Sequence, residues 1–312
     1  MRRLLITAEA VLLTAALAAC GAPLGGSGAG PGVGTSQGTG LSGAQGTGLP
    51  KVADSGSPSA VPGGPGTSLL ARLGEGARGA SAAVLAKVAE RRVTFSLSWS
   101  GMDAPSAARI ERTEGGTGTA VLLFGSPLPG SARAAAGQLT LDDPALAEDL
   151  RGRPADFTVT LTAAGAPGGT LSGPVTVSDT PVDPLGVIPG GTLSALADGR
   201  QEADLGTAGD PDAVTNVSLD PDGTALDYSL AWVNLRPPTR AQVQRGELGQ
   251  DGEVAVPLFT SPLPGTIIAL SGTAPVADPA TLRQLAAEPG GFYVSLHTDD
   301  FPEGAVRGQV FR

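Results

Sequence analysis

The chain is poor in the residues that most sites use for chemistry. One cysteine, Cys20, and one histidine, His297, occur in 312 residues. A single cysteine excludes an internal disulfide framework and any zinc site built on several cysteines. Positive charge is also in deficit, with a formal net charge of −10. That balance argues against nucleic acid, whose binding needs Lys and Arg to displace counterions. Aromatics make up only 4%. Glycine and proline are abundant instead, at 47 and 27 residues. Frequent turns with Val, Leu and Thr runs between them predict an all-β protein. The length allows about two domains.

The N-terminus, MRRLLITAEAVLLTAALAAC, has the parts of an export signal. Arg2 and Arg3 open the chain, Glu9 interrupts the hydrophobic start, and an apolar stretch from Ala10 to Ala19 follows, with small residues before the cut. The stretch is shorter than the roughly 20 apolar residues of a membrane span. Leu17-Ala18-Ala19-Cys20 resembles a bacterial lipobox, which implies a signal peptide over residues 1–19 and lipidation of Cys20. Cleavage after Ala18 fits the same residues. A Gly-rich segment follows, giving a tether over residues 20–67 that has too little apolar surface to fold. About 45 such residues span on the order of 35–40 Å. Two matches inside it, Gly34–Gly38 to G-x-S-x-G and Gly38–Gly43 to G-x-G-x-x-G, lack the strand and helix that would give them meaning.

The remainder repeats itself. FGSPLPG at Phe124–Gly130 returns as FTSPLPG at Phe259–Gly265, 135 positions later. FTVTLT at Phe157–Thr162 returns as FYVSLH at Phe292–His297 at the same spacing, and SLSW at Ser96–Trp99 as SLAW at Ser229–Trp232 after 133. So long a period indicates a duplicated domain rather than a solenoid. Each copy reads as an antiparallel β-sandwich with one short helix. The helices start at Asp143 and Asp278, each an N-cap followed by Pro. Asp220-Pro221-Asp222-Gly223 predicts a type I hairpin turn; it lacks the remaining ligands of a calcium loop. Trp99 and Trp232 hold matching places, either as core anchors or as platforms for a sugar. Asn216-Val217-Ser218 fits a glycosylation acceptor, which the resemblance to a bacterial lipobox makes coincidental.

The second copy, about residues 188–312, resembles the CHRD domain, first named in chordin. The resemblance rests on GEVAVPLF, on Glu202 in ADGRQEADLG and above all on FYVSLHTDDFPEGAVRGQ. Its motif positions are His297, Thr298, Phe301, Pro302, Gly304, Arg307, Gly308 and Gln309. The first copy, residues 68–178, resembles the domain through its likeness to the second. It is degenerate, with Thr162, Ser172 and Pro174 in place of His297, Arg307 and Gln309. The resemblance implies a His-x-His on one strand face, an arrangement similar to that of copper–zinc superoxide dismutase. Here Gln242 and Gln244 stand at those positions, and Arg109-Ile110-Glu111 in the first copy. Neutral amides are poor ligands for copper or zinc.

His297 therefore reads as structural, fixing the turn before Phe301-Pro302, with Tyr293 and Ser295 on its strand face and Arg307 paired to a carboxylate such as Asp299. The sharper alternative is a weak divalent-metal site of His297, Asp299 and Glu303, or a dismutase-like enzyme built on it. The expectation is a non-enzymatic envelope lipoprotein with no cofactor. It would bind the membrane through Cys20 and engage an unidentified protein or envelope ligand on the extracytoplasmic side. The Pro- and Gly-rich connection SDTPVDPLGVIPGG predicts two partly independent copies.

Overall fold

Period-two burial builds the strands. In Arg92–Ser100 the side chains of Val93, Phe95, Leu97 and Trp99 point into the core, and in Ala225–Val233 those of Leu226, Tyr228, Leu230 and Trp232 do the same. Both tryptophans are thus core anchors. The computed structural model describes residues 66–74, 79–113, 121–163, 169–203 and 209–312. The signal, Cys20 and the Gly-rich tract lie outside the described residues, which all belong to a unit running from Pro58 to Arg312.

The first half contributes β1 (Thr67–Leu73), β2 (Ser81–Ala89), β3 (Arg92–Ser100), β4 (Pro105–Arg112), β5 (Val121–Phe124), β6 (Ala132–Thr140), α1 (Pro144–Gly152), β7 (Phe157–Ala163) and β8 (Thr170–Val177). The second contributes β9 (Leu193–Asp198), α2 (Gly199–Ala203), β10 (Val214–Asp222), β11 (Ala225–Val233), β12 (Arg240–Arg245), β13 (Val254–Phe259), β14 (Ile267–Pro275), α3 (Pro279–Ala287), β15 (Phe292–His297) and β16 (Val306–Gln309). Helices α1 and α3 have the expected caps: Asp143 accepts from the Ala145 N–H and Asp278 from the Ala280 N–H, each at 2.9 Å. Leu146, Ala147 and Leu150 of α1, and Leu282 and Leu285 of α3, face the core.

Among the described residues, sixteen strands form one antiparallel series: β13-β12-β15-β16-β9-β10-β11-β14-β6-β3-β2-β1-β8-β7-β4-β5. Read inward from its two ends, the series takes up the strands of the halves in the same order. Each half also curls, so that β13 approaches β14 and β5 approaches β6.

Two expectations need correction. The halves are not loosely linked: β6 pairs with β14, and the buried side chains of both form one contiguous cluster. The connection is itself anchored, with the Val182 N–H donating to Ser68 Oγ at 3.1 Å and the Ser229 hydroxyl donating to Pro189 O. The β10–β11 turn is also shifted. Asp220, Pro221 and Asp222 belong to the strand, and Gly223 and Thr224 alone turn the chain. Gly223 has φ +55°, a left-handed conformation that glycine adopts without a Cβ penalty.

Candidate functional site

The CHRD-like motif lies where β12, β15, β16 and β9 run side by side. Phe292, Val294 and Leu296 of β15 enter the core, and Tyr293, Ser295 and His297 point the other way. That second face is buried as well. The register places Gln242, Ser295, Arg307 and Asp198 in one row across the four strands. α2 closes over this row. Asp198 Oδ1 accepts the N–H groups of Arg200 (2.9 Å) and Gln201 (3.1 Å), which turns the chain into α2 and brings Glu202 inward.

Glu202 is 5% exposed. The Ser295 hydroxyl donates to its Oε1 at 3.3 Å. Burial pushes the carboxyl pKa up, against the pull of Ser295 and the Arg307 charge. Gly304 makes room for it, since a Cβ there would lie 2.6 Å from Glu202 Oε1.

His297 is 3% exposed and enclosed on both ring nitrogens. Nε2 lies 3.2 Å from the Ser295 hydroxyl and 3.2 Å from the Gln242 amide. Nδ1 lies 3.0 Å from Pro302 O and 3.1 Å from an Arg240 guanidinium nitrogen, which also donates to Pro302 O at 2.7 Å. Each nitrogen therefore meets both a donor and an acceptor, and either neutral tautomer is satisfied. Burial first, and then the Arg240 charge, lower the imidazole pKa to about 4. The ring is neutral at physiological pH.

Arg307 is 1% exposed, although its charge is fixed. Its guanidinium lies 3.4 Å from the centroid of the Tyr293 ring, a cation–π contact. It donates to Asp251 Oδ1 at 3.0 Å, Gln250 O at 2.6 Å and Glu247 O at 3.2 Å. Arg307 thus holds the 246–252 loop against the strands. The expected partner Asp299 lies in the turn at the other end of β15 and is exposed, while its neighbour Asp300 pairs with Arg236 at 2.8 Å.

The other motif residues shape backbone. The Thr298 N–H donates to Phe301 O at 3.2 Å and the Phe301 N–H returns a bond to Thr298 Oγ1 at 3.1 Å, closing the turn. Phe301 packs against the core, and Pro302 supplies the carbonyl between Arg240 and His297. At Gly308 a Cβ would sit 2.7 Å from Leu196 O on β9. Gln309 Nε2 lies 2.9 Å from Gly246 O and 2.7 Å from both Gly290 O and Phe292 O.

Among the described residues, no group of three or more His, Cys, Asp or Glu side chains is placed to hold a metal ion. His297, Asp299 and Glu303 are not gathered into a site: the histidine is buried and both carboxylates are exposed. On the equivalent face of the first half, Arg109 pairs with Glu111 at 2.8 Å and the Thr160 hydroxyl donates to Glu111 at 3.3 Å. Thr160 and Thr162 are only half-buried there, and Ser172 and Pro174 are exposed. Sequence reasoning missed Arg240, Asp251 and Gln201, whose Oε1 accepts the Gln309 N–H at 3.3 Å; these roles arise from chain segments that meet only in the fold. It also missed a repeated signal. Arg112 on β4 stacks on Phe157 and bonds Asp149 of α1, and Arg245 on β12 stacks on Phe292 and bonds Gln284 of α3 at 2.7 Å.

Residues 193–310 match the family model of the CHRD domain. No curated protein and no solved structure matches the chain.

Proposed function

We propose that the chain is a non-enzymatic module of the bacterial cell envelope. It is exported, lipidated at Cys20 and held off the membrane by its Gly-rich tether. Two CHRD-like β-sandwiches, the first degenerate and spanning residues 68–178, the second spanning residues 188–312, then present a surface to a protein or envelope ligand. One observation carries the non-enzymatic part of this reading. The side chains of Glu202, Ser295, His297 and Arg307 are buried, and His297 has both nitrogens occupied. A general base needs a free, reachable nitrogen or oxygen beside a nucleophile or substrate. CHRD is not a known enzyme family, and residues 193–310 match it. The common strand order of the two halves supports duplication. Lipidation rests on the Leu17–Cys20 sequence, where the only cysteine stands at the position that would be acylated.

Membrane fractionation of cells carrying the chain tests the anchor. The unaltered protein should sediment with membranes, and Cys20→Ser should release it to the soluble extracytoplasmic fraction. A Cys20→Ser variant that stays membrane-bound would place the anchor elsewhere.

A further inference from the structure

Taken alone, each half would end its strand series on an open edge, β6 in the first and β14 in the second. An open edge is a template for pairing with another strand. Here the two edges pair with each other. The register is Ile267 with Gly137, Ala269 with Ala136, Leu270 with Ala135, Ser271 with Ala134 and Gly272 with Ala132. Exchanging every residue for its counterpart 135 positions away returns the same set of pairs, with Leu270 and Ala135 exchanging into each other.

The surrounding bonds obey the same exchange. The Gln138 N–H donates to Thr266 O at 2.8 Å, and the Thr273 N–H donates to Ser131 O at 2.9 Å. Ser131 Oγ donates to Leu258 O at 2.8 Å, and Thr266 Oγ donates to Leu123 O at 2.5 Å. Glycine occupies both points of closest approach. A Cβ on Gly137 would lie 2.5 Å from Thr266 O, and one on Gly272 would collide with Ser131 O. Such reciprocity, in which i meets j and the counterpart of j meets the counterpart of i, is the mark of a two-fold, self-complementary interface between identical subunits.

We propose that this joint accepts the corresponding half of a second copy of the chain, so that two chains can exchange halves and form a two-fold dimer through the same β6–β14 pairings. The joint needs a first half and a second half but no continuity between them. Only the connection over residues 178–192 determines that both come from one chain. Shortening such a connection favours exchange, because a short hinge strains the closed monomer and leaves the exchanged dimer unstrained.

The test uses the full chain with Cys20→Ser, Ala134→Cys and Ser271→Cys, two residues directly opposite in the joint. One variant deletes residues 180–188 and a second replaces them with Gly and Ser at equal length. Mass by light scattering and non-reducing electrophoresis are the readouts. The shortened chain should double in mass and form a disulfide between chains. The length-matched chain should remain monomeric with its disulfide inside the chain. A folded shortened monomer would overturn the proposal, as would a dimer without the interchain disulfide. Failure of the shortened chain to fold overturns it as well. If the length-matched chain folds, exchange should have rescued the shortened one; if neither folds, the connection rather than the joint holds the halves together.

Discussion

His297 is the residue on which the competing readings turn, and its surroundings settle its charge state. A buried imidazole facing Arg240 takes a proton only near pH 4, against 6.5 for the free group. The unfolded chain therefore binds this proton first as pH falls. The stability contributed by the neutral ring is fully present above pH 6.5 and is lost between 6.5 and about 4, on the order of 3 kcal/mol in all. Glu202 has the opposite sign: its raised pKa adds relative stability at low pH that is lost as pH rises through the raised value. The difference between two proteins isolates the histidine. His297→Gln keeps hydrogen-bonding groups without titration, and denaturant titrations between pH 7 and 4 should show a shallower acid-side loss than in the unaltered chain. Identical slopes would mean that the ring is not held neutral. His297→Ala at pH 7 should cost about 1 kcal/mol through lost hydrogen bonds.

At the scale of elements, the two halves act as each other's control. Gly223 turns the β10–β11 hairpin at φ +55°, and its counterpart in the β2–β3 hairpin is Glu90 at φ +52°, where a Cβ is strained. Glu90→Gly should stabilise the chain by about 0.5–1 kcal/mol, read from denaturant midpoints; destabilisation would show that the Glu90 side chain contributes more than its backbone costs. Much at this scale was legible in the sequence. Asp143 and Asp278 announced their helices because capping is local chemistry. The turn before Phe301-Pro302 was legible too, closed by the Thr298–Phe301 bonds. The β10–β11 turn was misplaced because Asp220-Pro221 is a good local turn signal, yet cross-strand pairing up to Asp222 and Ala225 overrides it. The Arg307 partner was misread because Asp251 is distant in sequence, and only the folded 246–252 loop brings it near.

For the whole molecule, the β6–β14 joint makes one structure of two halves. A Pro- and Gly-rich connection suggested independence because composition reports local stiffness, not what the strands on either side do. Calorimetry of the folded part should give a single cooperative transition. Gly272→Val, which drives a side chain into Ser131 O, should split it or lower it by several degrees. Two separate transitions in the unaltered chain would contradict the shared core.

Under the proposed function, the closed cluster around His297 is structural and is neither a metal centre nor a catalytic one. Elemental analysis by mass spectrometry of the chain, purified without a metal-affinity tag, tests it most directly. No stoichiometric copper, zinc or other transition metal should be found. One metal per chain, lost in His297→Ala, would contradict it.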